Sequence, residues 1–501
     1  MNPTPTPQTS DFVLQTSRGH GLSPARVVLD NGVVVLAKHT TTTPAVAINL
    51  AIRAGSVSDP PDAPGTTWLL SRVIDRGTAR RTAADIAEAL DSRGITITIA
   101  VTRHLFSLVC TCLAEDFEAV LALLGEVVMT PSLPDREIET RKGEVITAIR
   151  QDDDNPAVRA SESLMALLYP DGHPYGRRTK GSIEVVETLT RDRLLHLHDR
   201  RFAPIELSAA VVGDVNPSHV HDVAASVFGR WQNAAPPPVT PPPVAHAMRR
   251  QRLVVPMMNK AQADIAYGFT TITRRDPDYY AFWLMNNVFG QYSLGGRLGD
   301  NIRERQGMAY YAFSALDANV VPGPLLIRAG VNPANVDRAI ASIDEEVTKM
   351  ATEGPTEREL AESRQYLIGS LPRRLETNAG IASFLQMVEF FGLGMDYDVR
   401  VPELLAKVTR EEVLADIGLG KRLAVVVAKK LLSIGEAAGV GEHRLDSITI
   451  RGTEGLAVQL APCCRPIPAA ASSSGNGGCA SAPCRSRRRR ATPGSAAPAR
   501  R

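Results

Sequence analysis

The chain lacks any apolar run near the roughly 18 residues that a membrane-crossing helix needs, so no membrane span is expected. Its first 24 residues, Met1–Pro24, are rich in Pro, Thr, Ser and Gln and lack the apolar stretch of a secretory leader. The expected location is therefore the cytoplasm. Cysteine is scarce where a fold would use it. Of six cysteines, only Cys110 and Cys112 fall outside the C-terminal tail, and they alternate with apolar residues as side chains on one face of a strand do. Cys463, Cys464, Cys479 and Cys484 match no zinc-module spacing. What is plentiful is ordinary: 501 residues, 44% hydrophobic and 22% charged, which excludes wholesale disorder and a fibrous repeat.

The net charge of +2 conceals a split. From Pro462 to Arg501 there are eight arginines and no acid, and removing those eight charges leaves −6 on residues 1–461. A mildly acidic body argues against nucleic acid as a partner. The Ala/Ser/Gly/Pro-rich composition of residues 453–501 predicts a disordered basic tail, and residues 1–24 read the same way.

Pro236–Pro238 and Pro241–Pro243 mark a semi-rigid linker over 233–247, between nearly equal parts at 25–232 and 248–452. The parts are similar to each other. Leu189-Thr190-Arg191-Asp192-Arg193-Leu194 matches Val408-Thr409-Arg410-Glu411-Glu412-Val413, and Phe117–Leu121 matches Val336–Ile340 at the same offset. Arg53-Ala54-Gly55 and Arg328-Ala329-Gly330 add a tripeptide match, and Ala209–Val212 and Ala424–Val427 a closing β-branched run. Strand signals at Arg26–Leu29, Val33–Ala37, Ala45–Ile52, Ile95–Val101 and Phe106–Leu113 alternate in blocks with helical patterns at Thr82–Ser92, Phe117–Val128, Pro134–Arg150 and Thr190–Asp199. The expected class is α+β: two tandem homologous α/β-sandwich domains, each an antiparallel sheet covered by helices.

The order of Asn31-Gly32, Arg53-Ala54-Gly55-Ser56, Gly77-Thr78, Gly172-His173-Pro174-Tyr175-Gly176, Gly295-Gly296-Arg297-Leu298 and Arg303-Glu304-Arg305-Gln306-Gly307-Met308-Ala309-Tyr310 resembles the insulinase/pitrilysin family of zinc metallopeptidases over about residues 25–445. Processing peptidases and respiratory-complex core proteins share that family. The resemblance implies that the two domains form half of a clamshell. It also implies an inverted H-x-x-E-H motif on a helix, two His and a downstream Glu holding Zn²⁺ and the intervening Glu activating water. Between Gly65 and Gly77-Thr78, where that motif belongs, the chain has Trp68 and Arg72 at the two His positions and Ser71 at the base position. Thr147 stands where the downstream ligand is expected, with Glu144 one turn before it. Indole is no zinc ligand and a guanidinium cation repels the metal, so no metal or other cofactor is expected on this chain.

Other residues match the family better. Arg303 and Tyr310 occupy the positions of an Arg and a Tyr that, the resemblance implies, contact the substrate carbonyl. Gly295 and Gly296 match a glycine-rich loop implicated in substrate handling. Thr98 and Ile99 fall on the strand whose edge would pair with a peptide. The resulting expectation is a non-catalytic subunit that contributes Arg303 and Tyr310 to a heteromeric zinc peptidase. A homologous partner would supply the zinc, and a peptide would be the substrate. A purely structural role, with Arg303 at a helix end and Tyr310 in the core, stays open, as does a stand-alone peptidase with a rebuilt metal site. For the tail the consequence is direct: truncation at Gly452 should leave the melting temperature within experimental scatter, because residues 453–501 carry too little apolar surface to repay their ordering entropy. A drop of several degrees on differential scanning calorimetry would show the tail packs on the body.

Overall fold

The computed structural model describes residues 21–244, 250–291, 296–416 and 425–428. Most of the N-terminal stretch, the end of the linker (245–247) with the two residues after it, Gly295 and the basic tail lie outside the described residues.

The first half runs β1 (Ala25–Val28), β2 (Val34–His39), β3 (Ala45–Ile52), α1 (Thr66–Val73), α2 (Ala83–Asp91), β4 (Thr98–Val101), β5 (Phe106–Leu113), α3 (Phe117–Met129), α4 (Asp135–Asp154), α5 (Pro156–Leu168), α6 (Ile183–Thr188), α7 (Arg191–Arg201), β6 (Leu207–Gly213) and α8 (Pro217–Phe228). The second half runs β7 (Gln251–Val254), β8 (Ala263–Thr270), α9 (Tyr279–Asn286), β9 (Ala309–Leu316), β10 (Pro324–Val331), α10 (Val336–Thr352), α11 (Glu357–Arg374), α12 (Asn378–Phe391), α13 (Tyr397–Lys407), α14 (Arg410–Asp416) and β11 (Val425–Ala428). Local chemistry sets several starts. Thr82 and Asp85 form a capping box on α2, Thr356 and Glu359 do so on α11, and the Thr190 hydroxyl accepts from Arg193 N–H at the head of α7.

The strand order is β1-β2-β6-β3-β5-β4 in one sheet and β7-β11-β8-β10-β9 in the other. From β2 onward the two are the same topology, antiparallel except for one parallel pair each, β2 with β6 and β7 with β11. α3 corresponds to α10 and α7 to α14, at the offset of the sequence matches. The tripeptide match does not survive. Arg53-Ala54-Gly55 follows β3, whereas Arg328-Ala329-Gly330 lies inside β10, the counterpart of β5. β4 is also shorter than the expected Ile95–Val101, because Ile95 N–H closes the end of α2 on Leu90 O (3.0 Å).

Helices cover one face of each sheet, and the other face is covered by a helix from the opposite half. α12 of the second half lies on β3 and β6, where Ile381, Ala382 and Leu385 pack with Leu36, Ala47, Ala210 and Val212. Gln386, 4% exposed, donates to Asn49 O (2.6 Å) and Ser208 O (2.9 Å) and accepts from the Ser208 hydroxyl (2.5 Å). Asn378 donates to Ala45 O (3.0 Å), and Arg26 pairs with Glu389 (2.8 Å). Reciprocally, α5 of the first half lies on β8 and β11, with Ala160, Leu164 and Leu168 against Ala266. α5 and α12 occupy equivalent places in the repeat, so the halves exchange one helix each.

Leu164→Ala and Leu385→Ala should each destabilise the fold by about 2–5 kcal/mol in urea denaturation, the usual loss for a buried leucine. The exchange adds a directional expectation: Leu164→Ala should raise amide hydrogen exchange in β8 of the other half more than in β3 of its own.

Candidate functional site

α1 carries the zinc-motif positions, and it packs against α4 and lies beside β4. Its start is built by Asp59, 5% exposed, whose carboxylate accepts from Gly65 N–H (2.8 Å), Thr67 N–H (2.7 Å) and the Thr67 hydroxyl (2.5 Å). Burial raises the Asp59 carboxyl to about 6, opposed by the Thr67 and Gly65 donors and by Arg177. Gly65 has φ 97°, and a Cβ there would stand 2.5 Å from Lys180 O. The glycine that frames the motif is therefore needed for the backbone turn itself.

Trp68 is half-buried against the core of the first half, with the Arg72 guanidinium 4.7 Å and the Lys180 ammonium 5.6 Å from its ring centroid. Two cations thus share one indole at the place where two imidazoles would hold a metal. Ser71 is 3% exposed and its hydroxyl donates to Trp68 O (2.6 Å), so it acts within its own helix. Thr147 is exposed on α4 and donates back to Gly143 O (2.8 Å). Glu144 is ion-paired with Arg141. That hydrogen bond, reinforced by the charges of Arg141, Arg76 and Arg72, holds its carboxyl below the usual range. Asp75 lies beside Arg76 (3.2 Å), and burial raises its carboxyl against the pull of Arg76, Arg141 and Arg72. The residues present do not fit Zn²⁺: they offer three guanidinium groups, an indole, hydroxyls committed to backbone carbonyls, and two carboxylates, Glu144 and Asp75, engaged by arginines. Among the described residues no group of three His, Cys, Asp or Glu side chains converges to hold a metal.

His173 and His198 are engaged by backbone groups of the fold. His196 is exposed and His198 buried, its Nε2 at 2.8 Å from Val128 O, so the i, i+2 pair diverges. His173 accepts from Tyr175 N–H (3.1 Å) and its Nε2 meets Pro242 O of the linker (3.0 Å). Tyr175 is fully buried, with its hydroxyl 2.6 Å from His104.

Thr98 and Ile99 lie on β4, which pairs with β5 on one side and is the outer strand of its sheet. Thr98 is exposed, and Ile99 packs partly on the core. Arg303 sits in the π-helical turn Gly299–Arg305, half-exposed, 3.3 Å from Glu304. Gly307 at φ 61° ends that turn, with Gly307 N–H on Arg303 O (3.0 Å) and Met308 N–H on Ile302 O (3.1 Å). Tyr310 follows on β9, the outer strand of the second sheet, and is 84% exposed. A core role for Tyr310 is excluded by that exposure. Gly296 is held by close packing, since a Cβ would stand 2.7 Å from Gly290 Cα. Nothing in the sequence flagged Asp59 or Lys180; their partnership with α1 spans loops whose closure is a tertiary event.

Fold and site together define a peptidase-like pair of repeated α/β domains with its metal-ligating positions replaced. The insulinase (peptidase family M16) profile matches residues 34–179, and that of the peptidase M16 inactive domain matches residues 188–367, together about two thirds of the chain. The chain belongs to the insulinase family. A zinc protease of Mycobacterium leprae is 26% identical over 355 residues, covering 70% of this chain and 79% of that protein. A probable inactive metalloprotease of Bacillus subtilis is 24% identical over 318 residues, covering 59% and 70%. The solved peptidase M16 inactive domain from Pseudomonas fluorescens shares the fold, with a TM-score of 0.76 at 24% identity over 82% of this chain and 99% of that one. Among the described residues no helix is long and apolar enough to cross a membrane. Trp68, Ser71, Arg72 and Thr147 mark the chain as a family member whose zinc-motif positions are replaced.

The donor set predicts that the purified chain, dialysed without chelator, holds far less than one zinc per chain by inductively coupled plasma mass spectrometry. A stoichiometric value would mean that a different ligand set has been assembled.

Proposed function

We propose that this chain is the Arg/Tyr-bearing, non-catalytic subunit of a heteromeric insulinase-type peptidase, acting on peptides in the cytoplasm. A homologous partner with an intact H-x-x-E-H motif supplies the zinc and the general base. Tyr310 carries the proposal. A tyrosine 84% exposed on an outer strand, three residues beyond the glycine that stops the Arg303 turn, gains nothing from burial in this chain. A guanidinium and a phenol both suit a carbonyl oxygen that gains negative charge. The outer strand β4 offers backbone groups at Thr98 and Ile99 to an extended peptide, and the loop at Gly295 and Gly296 is proposed to touch the same substrate. The rival reading, a structural subunit of an assembly, makes the opposite demand on the same residues.

In the assembled complex, Arg303→Ala or Tyr310→Phe should lower kcat by roughly 10²–10³, the usual effect of losing one oxyanion donor. Co-elution with the partner and the melting temperature should stay unchanged. If the mutants instead weaken assembly while turnover per intact complex holds, the structural reading replaces this one.

A further inference from the structure

A cavity of about 440 Å³ opens where both halves meet the Pro-rich linker, and none of its walls comes from α1, β4 or β9. Three guanidinium groups line it: Arg53 after β3, Arg201 at the end of α7 and Arg275 before α9. Among the described residues Glu206 is its one carboxylate, and His104 is neutral near pH 7 because burial and Arg103 lower it to about 4. The walls therefore carry an excess of two positive charges. Phe390 and Phe391 at the end of α12, with Val239 of the linker, make the remaining surface largely apolar.

Arg201 is only 7% exposed, and the carboxylate paired with it, Glu206, stands at the outer limit of an ion pair. Its Nη1 donates to Pro237 O (2.8 Å) and its Nη2 to Arg53 O (3.1 Å), while Glu206 stands 3.9 Å away. Its buried Nε has no hydrogen-bond partner among the described residues, and neither does the buried hydroxyl of Ser58 on the same wall. A buried cation held mainly by carbonyl oxygens and one distant carboxylate has its desolvation cost only partly offset, and an anion that accepts from it would offset more. A second hollow of about 680 Å³ shares Ser58, Arg201, Pro238 and Val239 but adds the carboxylates Asp59, Asp62 and Asp192 beside Arg193 and Arg200, so the excess of positive charge belongs to the first cavity.

We propose that the first cavity binds a small carboxylate bearing an apolar or aromatic group, with the carboxylate among Arg201, Arg275 and Ser58 and the apolar body against Phe390, Phe391 and Val239. A single negative charge suits the charge excess, and the phenyl walls demand a hydrocarbon part that inorganic anions lack. A free organic acid and the C-terminal carboxylate of a peptide share this chemistry. The site needs no partner subunit, so its test is independent of the role proposed for Arg303 and Tyr310.

The full chain is titrated by calorimetry with phenylpropionate, phenylpropanamide, N-acetyl-alanyl-phenylalanine, the amide of that dipeptide, and inorganic phosphate. At least one acid should bind at least about tenfold more tightly than its amide, because the amide cannot make charge-assisted bonds to guanidinium. Preference for phenylpropionate identifies a free acid as the source, and preference for the dipeptide acid identifies a peptide terminus. Arg275→Gln and the cavity-filling Val239→Trp should each weaken that binding about tenfold with the melting temperature unchanged. Arg201→Gln should abolish binding, but its burial makes it the less clean variant. Equal affinity for acids and amides, binding of phosphate alone, no binding at all, or unaltered affinity in both Arg275→Gln and Val239→Trp would overturn the proposal.

Discussion

The exchange of α5 and α12 is the contact on which the rest of the structure depends. Each sheet has one face covered by its own helices and would leave the other apolar face in water. Neither half has a spare helix of its own for that face, and each borrows one from its neighbour. The borrowed helix brings polar anchors as well as leucines: Gln386 satisfies carbonyls of β3 and β6, and Asn378 reaches Ala45. A buried amide with this many partners specifies one docking position, because a shift along the sheet would leave the amide unpaired. The ends of the exchanged helices then set where Phe390, Phe391 and the linker meet, which creates the cavity at Arg201.

The former metal face shows how a site is lost without loss of the helix that carried it. α1 keeps its buried Asp59 cap, its left-handed Gly65 and its packing on α4. What changed is the chemistry along one exposed stripe. An indole takes two cations across its face, and the nearby carboxylates Glu144 and Asp75 are held by arginines. Burial of Leu69, Leu70 and Val73 supports α1 and needs none of the lost ligands.

Much of this was legible from residue order. The hairpin at Asn31-Gly32, the helical patterns at Thr82–Ser92 and Thr190–Asp199, the alternation in Leu108–Leu113 and the repeat through Phe117 and Val336 all depend on near neighbours in the chain, where period and turn chemistry operate. The replaced positions Trp68, Ser71, Arg72 and Thr147 were legible too, because a spaced motif can be checked residue by residue. The Arg-Ala-Gly match misled because three residues do not say whether they end a strand or sit within one. β4 was overextended because Ile95 has strand-like composition but serves as the closing bond of α2.

The sequence by itself determined the class, two repeated α/β units, and the absence of the ligands that a zinc peptidase of this family requires. Only the tertiary structure decided that the units trade helices, that Lys180 joins Arg72 on Trp68, that Tyr310 faces solvent and that Arg201 is buried with backbone carbonyls as its nearest partners. Each of these joins residues far apart in the chain, such as Ser208 to Gln386 and Trp68 to Lys180. Periodicity and capping act over a few residues. The free energy of covering a sheet face or stranding a charge is settled only when distant segments compete for the same surface.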